Sequence, residues 1–166
     1  MDKENSLRIN KRNFDINSLD DEIRADTLCQ DLLKEFYLDL VGKGLSDDEA
    51  SELAKSADYY LRDFVISAKQ RNIFDERAGV VRQFAGNWYI VNTIDPDMDV
   101  LSGHLEGIRH FYRFAHDLKL ISQIFLKLME KECDDTNFYA ARIASFWDIN
   151  GDGFLAWEKK CTLKED

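Results

Sequence analysis

Apolar residues recur at three- and four-residue spacing through most of this chain, and the pattern resolves into about six helices. The first stripe is Ala25, Cys29, Leu32, Phe36 and Leu40. It follows Ser18-Leu-Asp-Asp21, an N-cap with acids in the first turn, and stops at Gly42-Lys-Gly44, which predicts a helix over about residues 19–41. Ser46-Asp-Asp-Glu49 is a full capping box. Behind it Ala50, Leu53, Ala54, Ala57, Leu61, Phe64, Val65 and Ala68 keep the spacing, so a second helix should run to near Asn72. Residues 80–93 are double-natured: Val81, Phe84, Ala85 and Trp88 suit a helix, while Trp-Tyr-Ile-Val alone suits a strand. With no partner strand elsewhere, helix is the reading.

After the loop Asp95-Pro-Asp-Met-Asp99, the residues Leu101, Leu105, Ile108, Phe111, Ala115 and Leu118 mark a fourth helix. Ser122 begins a fifth, carrying Phe125, Leu128 and Met129 to about Cys133. Asp134 and Asp135 start a sixth through Phe138, Arg142 and Phe146, and residues 156–161 form a short last helix. Residues 1–17 lack periodicity and read as a flexible arm. The expectation is one all-α domain over 18–166, a bundle of about six helices with a carboxy-terminal helix-loop-helix.

Composition agrees with a folded chain. Of the 166 residues 45% are apolar and 33% charged, and there are 11 Phe, 6 Tyr and 3 Trp but a single proline. A chain of this length buries well over half its unfolded surface in one core. The net charge of −10 is unevenly spread: residues 15–58 hold 13 acids against 4 bases, whereas residues 59–133 balance. Acidity of this kind disfavours non-specific attachment to nucleic acid or anionic lipid. Cys29, Cys133 and Cys161 are odd in number and lack a CxxC pattern, so neither a disulfide framework nor a zinc site is suggested, and a reducing cytoplasm is the expected location. No apolar run approaches the ~20 residues of a membrane span.

Chemistry concentrates near the carboxy terminus. Asp148, Asn150 and Asp152 place oxygen ligands at alternate positions, Gly153 follows at the sharp turn, Phe154 can lend a carbonyl, and Leu155 is the apolar side chain beyond it. These residues resemble the calcium loop of an EF-hand at 148–159, inside a helix-loop-helix over about 136–162. The resemblance implies one Ca2+ site, but position 12, where an EF-hand uses a bidentate Glu, is Lys159, and the nearest carboxylate is Glu158. A site closed by Glu158 would be weak, about 0.1 mM or worse. The competing account makes Asp148 and Asn150 an Asx turn and helix cap. A second acidic series, Asp95, Asp97, Asp99 and Glu106, repeats the spacing but has Val100 where glycine is required, and its acids suit a helix amino terminus. His104, His110 and His116, six residues apart, turn by about 240° each and so point to different faces.

The one locally basic series is Arg62, Lys69, Arg71, Arg77 and Arg82, joined further on by Arg109 and Arg113. Its ordinary meaning is a solvated face, and its functional meaning a phosphate or partner patch. From Tyr59 to Ser122, Tyr60-Leu-Arg-Asp-Phe64, the helix Leu105 to Phe114 and Leu118-Lys-Leu-Ile121 resemble the SAM-like core-binding domain of tyrosine recombinases. That resemblance implies a helical module that clamps DNA. His110-Phe-Tyr-Arg113 imitates the family's His-x-x-Arg motif but lies in the helix matching the other domain, and no catalytic domain follows. No nucleophile elbow, phosphate loop or zinc-protease helix occurs. The expectation is therefore a non-enzymatic protein-interaction module with a weak calcium loop, the DNA-binding module being the alternative.

Overall fold

The serines and aspartates that offer themselves as caps act as caps. In the computed structural model, which describes residues 9–149 and 153–161, the Asp21 amide donates to Ser18 Oγ at 3.1 Å, opening α1 (Leu19–Gly42). The Glu49 amide donates to Ser46 Oγ at 3.1 Å, opening α2 (Asp47–Asp58). Asp97 caps α4 (Met98–Asp117) and Ser122 caps α5 (Gln123–Asp134) in the same way. Each side-chain oxygen satisfies an amide that the first turn leaves without a partner. Between α1 and α2 the Leu45 amide returns to the Leu40 carbonyl, a closing bond that folds the two helices back as a hairpin.

α2 does not run to Asn72 as a regular helix. From Tyr59 to Ala68 it widens into a π-helix and stops. Tyr60, Leu61, Phe64, Val65 and Ile66 are all buried there, a stripe too broad for one face of an α-helix, and the wider turn brings them inward together. Residues 80–91 are helical, which settles the ambiguous Trp-Tyr-Ile-Val run. This α3 consists of Val80–Gln83, a π turn over Phe84–Trp88, and Tyr89–Val91. It is buried on most sides, so the strand-like run reflects burial and not a sheet. α6 (Thr136–Phe146) and α7 (Gly153–Lys159) complete the chain, and the described residues contain no strand.

The molecule is an all-α bundle on one continuous core. The two π segments meet at its centre, where the Phe84 ring lies 5.2 Å from Tyr60 and 5.4 Å from Phe64, edge-on to both. The Tyr60 and Tyr112 hydroxyls pair at 2.6 Å, which satisfies two polar groups that would otherwise be costly in a dry interior. α4 crosses α2 at Gly107, where a Cβ would stand 2.6 Å from the Leu53 carbonyl oxygen and 2.6 Å from Ser56 Cβ.

One part of the expected amino-terminal arm is folded. Residues 11–14 form a 3-10 turn, Phe14 is buried against Phe74 with ring centres 5.0 Å apart, and Asn72 donates to both the Lys11 carbonyl and Asp15. The folded chain therefore begins at least eight residues before α1, and residues 1–8 lie outside the described residues. No helix among the described residues is long and apolar enough to cross a membrane.

Candidate functional site

The carboxy-terminal helix-loop-helix is anchored by Arg142. This side chain is 4% exposed; its Nε donates to the Gly86 carbonyl at 2.7 Å and its Nη1 to the Trp157 carbonyl at 2.6 Å. The guanidinium also lies 3.6 Å from the centre of the Trp157 ring, and the Trp157 indole N–H donates to Ser145 Oγ at 2.9 Å. Burial lowers the Arg142 pKa, but a guanidinium stays protonated in proteins, so the group is a buried cation held by carbonyl dipoles and an aromatic face. Gly86 makes room: a Cβ there would come 2.5 Å from Cys161 Sγ. α6, α7 and the π turn of α3 are thus one packed unit.

The expected calcium ligands fare unevenly. Asp148 is exposed in the turn after α6, its amide bonded to the Ser145 carbonyl. Asn150 and Asp152 lie outside the described residues. α7 starts at Gly153, earlier than residue 156, which puts Phe154 in its first turn stacked on Trp157 at 6.1 Å. Helical geometry aims the Phe154 carbonyl at the amide four residues on, not into the loop. Leu155 is 64% exposed, Lys159 is exposed and Glu158 is half-buried with a bonding partner. Among the described residues no group of three or more His, Cys, Asp or Glu side chains is placed to hold a metal ion.

The seven basic residues fall into three sets by their neighbours. Arg62 binds Asp26 at 2.9 Å and Asp58 at 3.2 Å. Arg82 pairs with Asp135 at 3.2 Å and lies 3.8 Å over the Phe138 ring. Arg109 pairs with Asp134 and Glu106, and Arg113 with Glu130 at 2.9 Å. Lys69, Arg71 and Arg77 line a small cleft with Asp75 and Tyr112. Four of the seven are therefore engaged with local carboxylates. Asp97 caps α4, so the second acidic series is a helix start, as its spacing before Leu101 predicts. The histidines also separate: His104 Nδ1 lies 3.1 Å from Ser56 Oγ between aromatic rings, where burial lowers its pKa, while His110 sits near Arg113, Glu106 and Lys43.

Two features escape sequence reading. The first is Glu132, whose carboxylate accepts from the Gly79 amide at 2.9 Å and the Arg82 amide at 3.0 Å, capping α3 from the last turn of α5. No local motif announces a cap supplied from fifty residues away. Burial raises its pKa, against the pull of those amides. A raised carboxyl pKa gives stability that is present below the unfolded value and lost as pH rises through the folded value. The difference in urea midpoint between wild type and Glu132→Gln is accordingly expected to change as pH goes from 5 to 7, with the wild type losing ground relative to the variant.

The second is a groove of 530 Å³ between α1 and α2. Leu33, Tyr37, Leu38 and Ala54 form its apolar floor, and Lys34, Lys55, Asp58 and Arg62 stand at its rim. Leu38 is 57% exposed. The sequence signal is that α1 carries Leu33, Tyr37 and Leu38 beside the stripe its own core contacts need. Comparison with protein-family models, curated proteins and solved structures finds no match to this chain.

Proposed function

We propose that this chain is a non-catalytic module that binds another protein through the α1–α2 groove. The observation that carries the reading is the apolar floor itself: side chains of this size ordinarily turn inward, and a concave apolar strip inside a polar rim is the anatomy of an interaction site. The buried titratable groups support it from the other side, since Glu132 caps a helix, Tyr60 and Tyr112 bond to each other, and Arg142 anchors α7. The three cysteines are free and buried, which suits a reducing compartment such as the cytoplasm. Affinity purification from source-cell extract tests the reading. Wild type and an Ile94→Asp control are expected to retain a common protein that Leu38→Asp loses at least about tenfold; equal retention by all three contradicts it.

A second reading concerns calcium. Two helices flank residues 147–152, and Asp148 is exposed at the entry to that loop. Asp148 and Glu158 would contribute carboxylates, with Asn150 and Asp152 between them, and without a bidentate Glu at position 12 the affinity would be about 0.1 mM or weaker. Calorimetric titration should show one saturable site that Asp148→Ala abolishes; no heat at millimolar Ca2+ removes the reading. The nucleic-acid alternative has less to draw on, because Arg62, Arg82, Arg109 and Arg113 are already paired with carboxylates.

A further inference from the structure

The walls of the groove are helices, not strands, so a partner is received by side chains and not by free backbone groups. The second wall runs from Ser51 on α2 to Arg62 in the π segment that continues it, roughly 16 Å or three turns. That length and an apolar floor suit a helix presenting residues at i, i+3 or i+4, and i+7. The bases at the rim are each answered: Lys34 by Asp31 at 4.0 Å, Lys55 by Glu52 at 3.5 Å, Arg62 by Asp26 and Asp58. At the far end Tyr37 donates to Asp47 at 3.2 Å, with Asp48 near by. Around the groove the bases Lys34, Lys55 and Arg62 stand against the acids Asp26, Asp31, Asp47, Asp48, Glu52 and Asp58, so the acids are in surplus at the rim, within a stretch whose net charge over residues 15–58 is −9.

Resting on the protein-binding reading, we propose that the α1–α2 groove receives a basic amphipathic helix of a partner protein, about three turns in length. Its aliphatic stripe sits on Leu33, Tyr37, Leu38 and Ala54, and its flanking Lys or Arg side chains meet Asp47 and Asp48 at the Tyr37 end and the surplus carboxylate of the Asp26–Arg62–Asp58 cluster at the other. Binding of this kind weakens with salt because its charges lie at an exposed rim.

The test is fluorescence anisotropy with the full chain and a labelled 18-residue Leu/Lys helix. Its comparison peptides are a scramble of equal composition without a stripe and a Leu/Glu counterpart. The Leu/Lys helix is expected to bind at least about tenfold more tightly than either, and to lose about tenfold with Leu38→Ser/Ala54→Gln, a variant checked for unchanged thermal unfolding. Equal binding of the scramble, or equal binding by the variant, would show diffuse charge attraction and overturn the proposal. Preference for the Leu/Glu helix overturns it on charge. A concentration-dependent dimer that Leu38→Ser/Ala54→Gln dissolves, without peptide binding, assigns the groove to a second copy and also overturns it. Peptide failure combined with Leu38-dependent retention of a protein removes the basic helix while leaving the groove a protein-binding site.

Discussion

Gly107→Ala is expected to lower the stability of this protein by about 2 kcal/mol, even though the same change inside a helix ordinarily gains up to about 1. The reversal comes from the crossing of α4 over α2. An added Cβ meets the Leu53 carbonyl oxygen at 2.6 Å, Ser56 Cβ at 2.6 Å and the Ala57 amide nitrogen at 3.1 Å. Two of these are backbone atoms of a capped helix and cannot rotate away, so the helices must separate. Separation loosens the dispersion contacts of Leu105, Ile108 and Phe111, all buried on the neighbouring turns. Gly103, one turn earlier on the same helix, is the internal control. Nothing lies within 4 Å of a Cβ there, so Gly103→Ala should stabilise by about 0.5–1 kcal/mol. Urea unfolding of the two variants should move the midpoint in opposite directions; a shared direction would mean that α4 does not cross at Gly107.

Arg142→Ala is expected to cost about 3 kcal/mol and to release α7 before the rest of the molecule unfolds. Two hydrogen bonds from a cation go, leaving the Gly86 and Trp157 carbonyls to find new donors, and the face of Trp157 loses its covering guanidinium. Phe146 and Phe154, which pack on the Trp157 ring, lose their common partner. Arg142→Met separates charge from bulk. It keeps the apolar stem and also removes the cost of burying a cation, so its loss should be about half as large. The signature is a red-shifted tryptophan emission at denaturant concentrations where far-ultraviolet circular dichroism is still largely native. A single transition seen by both probes, unmoved by either substitution, would show that α7 is not anchored through Arg142.

Local chemistry made much of this fold legible. Ser18, Ser46 and Ser122 sit where a helix needs an acceptor, and each one caps. Asp97 reads the same way once the spacing after it is seen to be helical. The limits appear where a side chain answers to distant neighbours. The end of α2 came early because the buried residues around Phe64 and Val65 demand a π turn, which propensity does not encode. Phe14 reads as part of an arm because a single aromatic in a polar stretch has no period, yet Phe74 holds it in the core. Arg142 stands between Phe138 and Phe146 in the sixth helical stripe, where spacing alone gives no sign that its charge is buried. The basic series reads as a patch along the chain, but carboxylates from other elements pair with four of its members, and no local spacing encodes those pairings. For the groove the sequence carries only the partial signal of Leu33, Tyr37 and Leu38 on α1, because which residues of α2 face them is decided by how the two helices pack.

The central claim, that a partner protein sits on the floor of the α1–α2 groove, is tested most directly by placing a photo-activated cross-linking residue at Leu38 in the full chain. Ile94, 99% exposed on the loop before α4, serves as an equally accessible apolar control. Irradiation in source-cell extract should give one discrete protein adduct from position 38 and none of that mass from position 94. The same adducts from both positions, or no adduct from position 38, would contradict the account.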